Sequence, residues 1–141
     1  MVAVLARPSI HPVLMAFAFA CFIGTLLADL AYWGSMRMLW SDFASWLISA
    51  GSVIGLIALI VAGIEYLTVR QRRAFAPLAF YVGGIVTLIL AVFDMLIHTH
   101  DAWTSVVPWG LVLSAVTVVV ALISLWAAWW TDELRVAEVT R

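Results

Sequence analysis

Four apolar runs, Pro12–Trp33, Phe43–Val69, Pro77–His98 and Val107–Trp130, constrain this chain more than any other feature. A bilayer core needs about 20 predominantly apolar residues per helix, and each run meets that length. Polar punctuation separates them: "GSMRMLWSD", "RQRRAFAP" and "THDAWTSVVP". Pro12, Pro77 and Pro108 fall at or near the first turn of a helix, where a missing N–H costs little. Hydrophobic residues make up 66% of the 141 and charged residues 11%. A water-soluble fold of this size has too little interior to hide so much apolar surface, so lipid must cover it. The sequence therefore predicts an all-α integral membrane four-helix bundle, a single membrane domain over residues 1–141.

Arginine placement sets the expected orientation. Arg7, Arg70, Arg72, Arg73, Arg135 and Arg141 fall on one side of such a bundle, and Arg37 alone on the other. By the positive-inside rule both termini face the cytoplasm, and the connections near 34–42 and 99–106 face outward. Trp33, Trp40, Trp103 and Trp109 then form an outer aromatic belt, and Trp126, Trp129 and Trp130 an inner one. The net charge of −1 gives no reason to invoke nucleic acid.

The two halves share a spacing. Arg7, Pro12 and Asp29 reappear in order as Arg73, Pro77 and Asp94, with 17 positions from Pro to Asp in both. Two readings stay open: a parallel duplication of one hairpin, or two hairpins of equal length that share boundary residues. In the second run, Gly51-x-x-x-Gly55 is a spacing that lets helix backbones approach closely, and it speaks for close packing more than for dimerisation. Cys21, the one cysteine, rules out an internal disulfide and reads as a small buried hydrophobe.

Chemistry concentrates in "DMLIHTHDAW". On a helix Asp94, His98 and Asp101 share one face, and His100 points elsewhere. Asp94 lies about one turn inside the expected boundary, and Asp29 at a similar depth on the first helix. A carboxylate in hydrocarbon costs roughly 2.5–3.5 kcal/mol on insertion scales, so both acids should face the bundle or find partners such as His98 or Tyr32. Asp29, Asp94, His98 and Asp101 form the expected outer polar cluster, either a lock between helices or a proton, metal or quinone site. His98, His100 and Asp94 are the candidate metal ligands. His11, Glu65 and Arg73 form an expected inner cluster, read as a salt-bridged cap. A haem held by two histidines is not expected, because His11 and His98 lie at opposite ends of the bundle; His98 with Met95 or Met36 is the remaining haem alternative.

The stretch "HPVLMAF…LLADL", His11 to Leu30, resembles the start of a bacterial membrane family, domain of unknown function 2231. Members open with His-Pro, an apolar run containing aromatics, and an acid late in the first helix. Gly51, Gly55, Gly63 and Glu65 match a glycine-containing second helix ending near an acid, and "WWTDELRVAEV" matches a polar close to the last helix. Where members often carry a second His and Pro, this chain has Ala16 and Ala18, so a ligand role for that second His is absent. The resemblance implies a four-helix protein of the bacterial inner membrane, in some members found alongside redox domains, and supplies no activity.

The first expectation for function is a non-catalytic anchor or accessory subunit of a membrane complex, partnered by lipid and by another membrane protein or a second copy. The rivals are a small transporter or proton relay using the outer Asp/His cluster, and an electron-transfer subunit holding quinone or haem. No cofactor is expected under the first reading.

Overall fold

A computed structural model describes residues 10–68, 78–99 and 106–139. It contains α1 (His11–Ser35), α2 (Met38–Thr68), α3 (Leu78–His98) and α4 (Leu111–Val139), with an irregular helical turn at Val106–Gly110 leading into α4. Each helix is long and apolar enough to cross a membrane, the spans being His11–Ser35, Met38–Thr68, Phe80–His98 and Val106–Ala127. Among the described residues every regular element is a helix, as an apolar solvent requires of a chain that must satisfy its own backbone.

The helix ends differ from the sequence reading at the start of α2 and at both ends of α4. Met36 closes α1 in the left-handed conformation (φ 51°), and its N–H bonds Tyr32 O at 2.6 Å. Only Met36 and Arg37 then separate α1 from α2, which begins at Met38 rather than Phe43. "WSD" reads as a break, but Ser41 and Ala44 turn into the bundle, so the helix absorbs the polar residues. At the other hairpin, Val107 is extended (φ −119°, ψ 125°), the bias expected of a residue before proline. Regular helix therefore starts at Leu111, after Pro108, and α4 continues past Trp130 to Val139.

Consecutive helices pack side by side, and α4 closes the ring against α1; the tightest association is between α1 and α2. Small residues make this approach possible. A Cβ on Gly51 would sit 2.9 Å from both Cys21 Cβ and Phe22 Cε1 of α1, and one on Gly55 would sit 3.1 Å from Leu88 of α3. The Gly51-x-x-x-Gly55 face is thus used inside the bundle. Cys21 packs there half-buried rather than fully buried. On the α3–α4 side, a Cβ on Gly83 would overlap the Ser124 hydroxyl.

The interior is built from Ala18, Phe22, Ile48, Ala91 and Val118, whereas Phe17, Leu27, Trp46, Leu67 and Trp109 point outward and are mostly exposed. Apolar outward faces on all sides are what lipid, not water, solvates. Trp33 and Trp109 are exposed at one end of the bundle, and Trp126 stacks on Trp130 at the other. Trp103 lies outside the described residues.

Candidate functional site

Asp29 is inside because of its register. The buried residues of α1 are Ala18, Phe22, Thr25, Ala28, Asp29 and Tyr32, a stripe with steps of three and four that carries the acid into the bundle. On α3 the buried positions Thr87, Ala91, Asp94 and His98 follow the same rule. The two stripes converge near the end of the bundle where α1 closes and α3 stops. There the side chains of Asp29, Asp94 and His98 have no solvent exposure at all.

The contact runs across the bundle. His98 Nε2 lies 2.8 Å from Asp29 Oδ1, joining α3 to α1, two helices that are not neighbours in the ring. Its other nitrogen, Nδ1, lies 2.9 Å from the backbone carbonyl of Asp94 and 3.3 Å from Asp94 Oδ1. A carbonyl oxygen only accepts, so Nδ1 carries a hydrogen and donates it to Asp94 O. Nε2 then has two states: an N–H donating to the Asp29 carboxylate, or a lone pair accepting from an Asp29 carboxylic acid. Either way one proton lies between Asp29 and His98.

Three carboxylate oxygens remain. Asp29 Oδ2, Asp94 Oδ1 and Asp94 Oδ2 are buried without a hydrogen-bond partner. Leaving such atoms unsatisfied costs about 1–3 kcal/mol each, and more when they are charged. Ligand atoms of Asp29, Asp94 and His98 all lie within 4.8 Å of one another. Gly110, leading into α4, covers the imidazole: a Cβ there would stand 3.2 Å from His98 Cε1. The buried hydroxyls nearby are already committed, Thr25 to Cys21 O at 3.0 Å and Thr117 to Leu113 O at 2.8 Å. Tyr32 directs its hydroxyl to Met38 Sδ at 4.0 Å.

The family described as predicted membrane protein, domain of unknown function 2231, matches residues 7–136, nearly the whole chain. The chain belongs to this family. No curated protein and no solved structure matches it. In this member of the domain of unknown function 2231 family, the residues that carried the resemblance fall at two interhelical contacts. Asp29 meets His98 at one end. At the other, His11 Nδ1 bonds Glu65 Oε2 at 2.9 Å, joining the start of α1 to the end of α2, with Phe80 edge-on to the imidazole. His11 and Glu65 keep 25% and 21% of their side-chain surface, enough to reach the membrane interface, so this pair has the character of a cap.

Eighteen residues of α1 separate His11 from Asp29, about 27 Å at 1.5 Å per residue, so the two clusters are independent. Asp101, His100 and Arg73, the other sequence candidates, lie outside the described residues. Two features of the site were not singled out from the sequence: the bond from Nδ1 to the Asp94 carbonyl, and Gly110 as the floor under the imidazole. The first follows from an (i, i+4) spacing that also allows a carboxylate contact. The second needed the path of the chain after Pro108.

Proposed function

We propose that this multi-pass membrane protein handles cations, as a small transporter or proton relay, through Asp29, Asp94 and His98. One observation carries the reading: an acid–imidazole–acid cluster fully enclosed between spanning helices, with three carboxylate oxygens that form no hydrogen bond among the described residues, one of them only 3.3 Å from His98 Nδ1. An anchor makes no demand on its own interior, and apolar residues would pack there at lower cost. Ionisable groups inside a bundle are the usual parts of ion pathways and proton relays.

Further support comes from the interior between the two ends. It contains buried hydroxyls of Ser52, Thr87, Ser114 and Thr117. Each of these hydroxyls donates to a backbone carbonyl of its own helix and keeps lone pairs for a passing donor. Arginine placement favours the bacterial inner membrane arrangement with both termini cytoplasmic, which puts the Asp/His cluster near the outer face.

The test is flux. Reconstituted in liposomes with an internal pH dye and an imposed potential, the wild-type protein should collapse a proton gradient faster than empty vesicles. Asp29→Asn with Asp94→Asn should abolish the excess while preserving the fold, because amides replace the carboxyls in size. Flux equal to that of empty vesicles for the wild type, or unchanged flux in the double variant, refutes the proposal.

A further inference from the structure

We infer that the Asp29–Asp94–His98 cluster binds a divalent transition-metal ion. The inference rests on the cation-handling reading above and names the class of cation that its donor atoms suit.

The donor set comes first. Two carboxylates and one imidazole offer oxygen and nitrogen, the ligands of zinc, manganese and ferrous iron. No thiolate is present to select a monovalent soft ion, because Cys21 is on the α2-facing side of α1, against Gly51. Calcium asks for six to eight oxygens, more than two carboxyl groups supply. Candidate ligand atoms on the three residues lie within 4.8 Å of one another, so they need to draw in by up to about 1.5 Å to reach the roughly 3.3 Å spacing of ligands around one tetrahedral ion.

The second observation is the orphaned oxygen. Asp94 is fully buried, and neither of its carboxylate oxygens has a hydrogen-bond partner; Asp29 Oδ2 is in the same condition. A carboxylate that served only to lock helices would spend its oxygens on donors. Asp94 Oδ1 has only the 3.3 Å approach of His98 Nδ1, whose hydrogen goes to the Asp94 carbonyl, and the other two oxygens have no hydrogen-bond donor among the described residues. A cation held between Nε2 and Asp29, with one Asp94 oxygen drawn toward it, gives this buried negative charge the positive partner it lacks.

The third is the imidazole's orientation. The Asp94 carbonyl takes the Nδ1 hydrogen, so the neutral ring presents its lone pair at Nε2, beside Asp29 Oδ1. A metal-bound histidine commonly donates its second nitrogen to a carbonyl or carboxylate in this way, which fixes tautomer and ring angle. The ion takes the place of the one proton between Nε2 and Asp29, and that proton leaves to solvent. Widening the present 2.8 Å separation by about half an ångström makes room, since two ligands of one tetrahedral ion stand roughly 3.3 Å apart. Charge then closes: two carboxylates, a neutral imidazole and a divalent ion sum to zero, the condition for holding an ion among apolar helices.

The probe is Mn²⁺, followed by its spin-resonance signal, with Zn²⁺ competition, on full-length protein in lipid nanodiscs. His11→Gln and His100→Gln form the background, which removes the other imidazoles. One Mn²⁺ per chain is expected, displaced by Zn²⁺, with proton release on binding. Asp94→Asn should weaken binding at least about tenfold, and should fold normally because the amide keeps the size of the carboxylate and its oxygen keeps the 3.3 Å contact to His98 Nδ1. His98→Gln should remove the nitrogen hyperfine coupling from the signal. Absence of stoichiometric binding to the folded protein, or undiminished binding in both variants, overturns the metal site. Proton flux that persists beside a failed metal titration overturns the metal inference alone; loss of both overturns the reading beneath it.

Discussion

The Asp29–His98 bond can be weighed by a double-mutant cycle with Asp29→Ala, His98→Ala and the pair together. Interhelical hydrogen bonds in membrane proteins couple by about 0.6 kcal/mol on average and about 1.7 at most, because a helix unfolded within the membrane also finds partners. This bond departs from that average in two ways. Both side chains are fully buried, and the proton shared over 2.8 Å gives the contact ionic character, which roughly doubles a hydrogen bond. Removing one partner of a buried pair costs about 3–5 kcal/mol, but part of that is the stranded partner, which the cycle subtracts. The coupling expected is therefore about 1.5–3 kcal/mol, a factor of roughly 10–150 in the unfolding equilibrium constant. Reversible unfolding in mixed detergent and lipid reads it directly. A coupling below about 0.5 kcal/mol, within the error of additivity, would refute the claim that these residues hold α1 and α3 together.

Other outcomes follow from the same geometry. Gly83→Ala, whose new methyl overlaps the Ser124 hydroxyl, should cost about 1–3 kcal/mol of stability, whereas Gly63→Ala, with nothing within 4 Å, should be neutral or gain up to about 1 kcal/mol from helix propensity; equal effects would contradict the packing. Gly110→Ala presses on an imidazole pinned at both nitrogens, so it should cost about 1 kcal/mol and slow cation flux, and wild-type values on both measures would argue against Gly110 as the floor of the site. Reporter fusions at Gln71 and Arg141 should read cytoplasmic, and fusions at Ser35 and Thr104 periplasmic; a periplasmic signal at Gln71 would invert the orientation.

Much of this architecture is written in residue spacing. The steps of three and four that bury Thr25, Asp29 and Tyr32, and Ala91, Asp94 and His98, are visible before any coordinates, as is the matching interval from Pro12 to Asp29 and from Pro77 to Asp94. What spacing does not carry is which helices stand opposite. His98 belongs to α3, and both Asp94 four residues back and Asp29 on another helix are available partners. The ring arrangement gives Nε2 to Asp29 and leaves the Asp94 carbonyl for Nδ1. The helix ends show the same limit: "WSD" has loop composition, yet helix runs through it because Ser41 fits a buried position, which only the neighbouring helix decides.

The most direct measurement of the central claim is a magic-angle-spinning NMR distance in lipid bilayers, between the ring nitrogens of ¹⁵N-labelled His98 and the carboxyl carbons of ¹³C-labelled Asp29 and Asp94. Assignment follows from Asp29→Asn and Asp94→Asn samples. A hydrogen bond at 2.8 Å puts the Asp29 carboxyl carbon about 3.5–4 Å from Nε2, and the account predicts a dipolar coupling of that strength. It also predicts a second, weaker coupling from Nδ1 to the Asp94 carboxyl. Absence of any Nε2–Asp29 coupling within about 6 Å, in protein shown to be folded, would mean that the acids do not share the imidazole, and the cation site would fall with it.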